Sequence, residues 1–156
     1  MKRAYLMFVL MFGLVALALA AADFSGTWVL DTAKSEMGGG GGGGRGMGGG
    51  GGRGMMGEME IKQAGSEITI TRGQMETKYV ADGAEHAIET GRGGLKYKAS
   101  LQGDTLTVTG TRTTQRGDMP VNESYALSDG GKVLTVSTTM TGPNGEQTRK
   151  MVYNKK

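Results

Sequence analysis

A chain of 156 residues with no cysteine has no disulfide framework and no thiol chemistry. Its formal net charge of +3 does not mark a nucleic-acid binder. Lys2 and Arg3 lie in a leader and Arg45 and Arg53 in a glycine tract, which leaves 14 basic and 15 acidic residues, a net of −1. A body so balanced has no long-range field to attract nucleic acid or anionic lipid.

The chain opens with Met1-Lys2-Arg3 and an apolar run from Ala4 to Ala20. A basic start, a short apolar stretch and small residues at its end predict a secretory signal peptide over 1–22. Cleavage fits after Ala20 or after Ala22, and it would leave no membrane span. The expected address is periplasmic or secreted. The expected domain is 23–156, with roughly 110 residues outside the glycine tract, enough for one core.

Strand one is expected at Phe24 to Leu30. Its even positions, Phe24, Gly26, Trp28 and Leu30, form the predicted inward face, because strand side chains alternate sides. The stretch 37–57 follows, with fifteen of the thirty glycines. Glycine loses the most backbone entropy on ordering, and little apolar surface is offered in return, so a disordered loop is expected.

From Glu58 the pattern has period two. Strands are predicted at Met59–Gln63, Ile68–Thr71, Met75–Val80, Glu85–Glu89, Leu95–Leu101, Thr105–Thr113, Met119–Leu127, Val133–Met140 and Glu146–Tyr153. Gly- and Asp-rich turns separate them, and Asp82-Gly83 reads as a two-residue hairpin turn. No segment has a helical period. The expectation is all-β: an antiparallel up-and-down meander of eight to ten strands closed into a barrel, behind an N-terminal signal helix. Its predicted lining is Phe24, Leu30, Ile61, Ile70, Tyr79, Tyr97, Leu106, Val108, Leu134 and Val136. Tyr97, Tyr125 and Tyr153 recur at a spacing of 28. Two strands with their turns would span that distance, which would put these tyrosines on alternate strands.

Phe24-Ser25-Gly26-Thr27-Trp28-Val29-Leu30-Asp31, Asp129-Gly130-Gly131-Lys132-Val133-Leu134-Thr135-Val136 and the closing Lys150-Met151-Val152-Tyr153-Asn154-Lys155 resemble small exported bacterial lipocalin-like proteins. Gly26-x-Trp28 looks like the G-x-W that opens lipocalins. The resemblance implies a calycin-type barrel in which Trp28 plugs the closed end and an arginine of the last strand packs over it. By position that partner is Arg149, with Lys150 as the alternative. It also bears on ligands: related fatty-acid-binding barrels hold a carboxylate with Arg-x-Tyr near the C-terminus. Here Met151 stands where that arginine would be.

Tyr79, Tyr97, Tyr125 and Tyr153 are the candidate cavity residues, each offering an apolar wall with a polar tip. His86 is the only histidine and lacks further nitrogen or sulfur partners, so no metal site is expected. Met37, Met47, Met55, Met56 and Met59 are spaced too irregularly for a Cu(I) site. The glycine tract lacks the strand–turn–helix setting of a phosphate loop. No nucleophile-elbow sequence exists, no carboxylate pair stands out, and neither an enzyme nor a cofactor is expected. Two functions follow from the sequence. One is non-covalent binding of a small apolar or amphipathic, possible hydrophobic, ligand. The other is a structural or interaction role in the cell envelope, with a filled barrel and a flexible glycine tether.

Overall fold

The computed structural model describes residues 22–36, 57–90, 93–115, 117–142 and 145–156. The leader expected over 1–22 and the glycine loop expected over 37–57 therefore lie almost wholly outside the described residues. Ten strands follow in order: β1 (Gly26–Glu36), β2 (Glu58–Ala64), β3 (Glu67–Arg72), β4 (Met75–Val80), β5 (Asp82–Thr90), β6 (Gly93–Gln102), β7 (Thr105–Thr114), β8 (Gly117–Ser128), β9 (Val133–Gly142) and β10 (Gly145–Lys155). A 3-10 turn at Asp129–Gly131 joins β8 to β9.

All ten strands form one antiparallel sheet in the order β4-β3-β2-β1-β10-β9-β8-β7-β6-β5. The first strand pairs with the last, Trp28 opposite Lys155 and Leu30 opposite Tyr153, and this joint wraps the meander into a nearly closed barrel. Each remaining neighbour pair is a hairpin, with one exception. β4 and β5 are adjacent in sequence but form the two edges of the sheet. The hairpin expected at Asp82-Gly83 does not form. Both residues begin β5, where Asp82 Oδ1 accepts the Ala84 N–H at 2.9 Å.

Side chains close this seam in place of a backbone ladder. The Val80 N–H on β4 donates to Tyr97 Oη on β6 at 3.1 Å. The Tyr79 and Tyr97 rings meet edge to face with centroids 5.1 Å apart. An edge strand exposes unpaired backbone groups, so these contacts satisfy part of what the missing ladder leaves open.

The core follows the period-two pattern. Phe24, Trp28, Ile61, Ile70, Leu106, Val108, Leu134 and Val136 are buried, with Leu30 packed partly against them. Met59, Ile68, Leu95 and Ala99 complete this layer. Gly110 on β7 is demanded by close approach: a Cβ there would lie 2.1 Å from the Lys96 carbonyl oxygen on β6.

Because the meander alternates, its turns fall at two ends. The links at 64–67, 80–82, 102–105 and 128–133 share the end where β1 starts and β10 finishes, the Trp28 end. Arg72 ends β3 at the other end, where β5, β7 and β9 also finish.

Candidate functional site

At the Trp28 end the side chains pack closely. The indole is wholly buried and donates from Nε1 to the Phe24 carbonyl at 3.0 Å. Phe24 is itself fully buried, and its N–H is taken by Gln63 Oε1 at 2.9 Å. The cation over the indole is Lys155, with Nζ 5.4 Å from the ring centroid, and not Arg149. Arg149 pairs with Thr138 on β9 and is exposed. The reason is register: β10 brings Lys155 opposite Trp28, and Arg149 lies six residues, about 20 Å, further along the strand. Gly26 makes room for the lysine. Its φ is +140°, and a Cβ would fall 2.7 Å from Lys155 Cε. Beside the plug lies a shallow depression of about 330 Å³ lined by Ala22, Asp23, Asp104, Leu127, Gly130, Gly131 and Lys155. It is built on turn residues, outside the barrel's apolar interior.

The four candidate tyrosines all face inward and are buried. They fall into two groups. Tyr79 and Tyr97 serve the β4–β5 seam, with the His86 ring 5.7 Å from Tyr97 and its Nε2 bonded to Asp82 Oδ1 at 2.8 Å. Tyr125 and Tyr153 flank a polar cluster that the sequence reading did not single out.

That cluster is built on Arg72. It ends β3 in phase with Ile68 and Ile70, so its side chain enters the barrel. Nε donates to Met59 Sδ at 3.3 Å, and Nη2 donates to Tyr125 Oη at 3.0 Å. β3 and β8 are five places apart in the sheet, so the contact spans the interior. The guanidinium also lies 5.9 Å from the Tyr125 ring centroid. Tyr125 in turn donates to Glu123 Oε2 at 2.7 Å, and Tyr153 donates to Met151 Sδ at 3.7 Å. The parity of Ile68 and Ile70 is the sequence signal for the inward face of Arg72. Glu123 likewise shares parity with Tyr125.

The electrostatics are those of an enclosed site. Burial, with the Glu123 charge adding to it, pushes the Tyr125 phenol well above its usual range. Burial raises Tyr153 as well, and Tyr79 by more. Burial opposes the charge on Arg72, but Tyr125 and Glu123 outweigh it, and the guanidinium is held more firmly protonated than usual. Arg72 therefore stays cationic and the tyrosines stay neutral. An arginine carries five N–H donors, and two here are accounted for. Among the described residues nothing accepts from Nη1.

A closed antiparallel meander with a tryptophan plug at one end is the architecture of the lipocalin-like, calycin-type barrels. No model of a known protein family matches the sequence, and no curated protein does. Solved structures match in fold. The chain is similar to zebrafish ileal bile acid-binding protein complexed with cholic acid, at 19% identity and a TM-score of 0.55, over 85% of this chain and 98% of that one. It is similar to the REP1-NXSQ fatty acid transporter at 13% identity and a TM-score of 0.51, over 87% and 98%. Secretory abundant heat soluble protein 4 from Ramazzottius varieornatus matches at 14% and 0.50, over 85% and 94%. Identities this low carry the architecture alone.

Proposed function

We propose that this protein is an exported barrel that binds a small amphipathic anion non-covalently, with the charged group at Arg72 and the apolar part against the interior wall. The observation that carries this reading is a part-buried guanidinium that faces inward and keeps solvent-accessible donors with no acceptor among the described residues. An arginine so placed matches a carboxylate or similar oxyanion, and burial of the apolar tail would add about 25 cal/mol per Å². The structural neighbours support the class: cholic acid and a fatty acid, the molecules named for two of them, are amphipathic acids. The leader at Met1 to Ala20 supports export.

The test is a titration with dodecanoate, read by displacement of a fluorescent anionic probe. Arg72→Met should weaken binding at least tenfold, since a hydrogen bond to a charged group contributes about 1.5–3 kcal/mol. Unchanged affinity in that variant would remove Arg72 from the site.

A second reading has its own observation. Tyr79 packs edge to face on Tyr97, and both are buried, so the seam side of the barrel is filled by its own side chains. A structural protein of the cell envelope would look the same there. Retrieval of protein from the exported fraction with no bound small molecule, together with no uptake of dodecanoate, would favour it.

A further inference from the structure

Arg72 is not alone on the inner face of the barrel. Tyr125 separates it from Glu123, accepting from the guanidinium at 3.0 Å and donating to the carboxylate at 2.7 Å. A phenol has one proton to give, and Glu123 takes it. Tyr125 therefore has no donor left for a ligand. Glu123 uses Oε2 for this bond, and among the described residues no donor reaches its Oε1. The carboxylate is half-buried on the inner face, in one row with Val108 on β7 and Thr138 on β9, and through Thr138 with Arg149 on β10.

An acceptor with a spare oxygen thus stands one hydroxyl away from a cation with spare donors. A bare anion drawn to Arg72 also meets the Glu123 charge, and like charges repel more strongly away from bulk water. A second negative charge on the same head group would double that repulsion. A donor beside the anion reverses it, because an N–H or O–H can bridge to Glu123 Oε1 while the anion bonds to Arg72.

Building on the reading of Arg72 as an anion anchor, we propose that the site selects a dipolar head group: one negative charge with a hydrogen-bond donor on the adjacent atoms, as in a 2-hydroxy acid or an N-acyl amino acid. Arg72 holds the anion, Glu123 holds the donor, and Tyr125 keeps the two apart. A plain carboxylate binds more weakly, and a dianion more weakly still.

Three probes of twelve carbons each test this: dodecanoate, 2-hydroxydodecanoate and dodecyl phosphate, titrated at pH 8 below their aggregation concentrations. The hydroxy acid should bind about tenfold tighter than the plain acid, since the added bond is to a charged acceptor. Glu123→Ala should abolish that preference and improve the binding of dodecyl phosphate. Glu123→Gln keeps an acceptor of the same size without the charge, and should leave a reduced preference. It also decides the matter if the alanine variant does not fold. Equal affinity for the two acids in the unaltered protein overturns the proposal and leaves the anion anchor standing, as does a preference that survives both substitutions. Failure of all three probes to bind overturns the anchor itself.

Discussion

Among the described residues the barrel holds two cation–aromatic pairs, and they differ in how fully their polar groups are paired. At one end Lys155 lies over Trp28, and every polar need of the ring is met from within the same end: the indole N–H goes to Phe24 and the Phe24 amide to Gln63. On the inner face Arg72 lies against Tyr125, and Arg72 keeps N–H groups with no acceptor among the described residues. A flexible lysine on an exposed strand end closes a structure, because its charge stays in water while its stem covers apolar surface. The Arg72 guanidinium is planar and part-buried, and its remaining N–H groups have no acceptor among the described residues. The same pair chemistry covers the indole at one end and, on the proposed reading, leaves donors for an anion at Arg72.

That contrast can be broken in order of effect. Alkali should act through the buried tyrosines of the interior and the seam. Tyr79, Tyr125 and Tyr153 all have folded values above the ordinary 10.0, so the unfolded chain ionises first. Their contribution to stability is complete below pH 10 and is lost as the pH climbs above it. Tyrosinate absorbance should therefore rise together with loss of β-sheet circular dichroism, in one transition above pH 10. Tyrosinate signal from three residues in a still-folded barrel would show that the chamber is open to water.

Trp28→Ala comes next. Loss of a fully buried indole should cost about 3–5 kcal/mol in denaturant unfolding, with dodecanoate affinity changed less than twofold. A large loss of affinity would place Trp28 in the binding chamber. Gly26→Ala should cost about 1–3 kcal/mol, mostly from strain at φ +140°, since the neighbour Lys155 can swing aside. A neutral result would show that the backbone of β1 relaxes at its start. Acid has the smallest effect and acts at the plug end. Hydrogen bonds from Ser25 and from Asn154 hold Asp23 and Asp31 below the usual 3.8, so the stability they add is present above that value and fades as the pH falls below it. Asp23→Asn and Asp31→Asn together should flatten the low-pH shoulder of the melting-temperature profile.

Much of this was legible in the residues. Alternation put Ile61, Ile70, Leu106, Val108, Leu134 and Val136 inside, and they are inside. Period two is a local property that the pleat enforces whichever strands pair. Parity also pointed Arg72 inward, but its place beside Gly73 invited a turn reading instead. The departures are non-local. Asp82-Gly83 carries strong hairpin chemistry, yet β4 and β5 stay apart and form the two edges of a sheet in which the chain ends join through β1 and β10. The local turn signal contains no information about where closure leaves the seam. The choice of Lys155 over Arg149 above Trp28 depends likewise on the β1–β10 register, with its irregularity between Asp31 and Glu36.

The sequence by itself thus determined the strands and their inward faces, Trp28 among them, because each rests on spacing within one strand or one turn. Tertiary structure alone decided the seam, the cation over the indole and the joining of Arg72, Tyr125 and Glu123. Those three converge because a sheet of ten strands curls until β3 faces β8, and no spacing along the chain encodes that meeting.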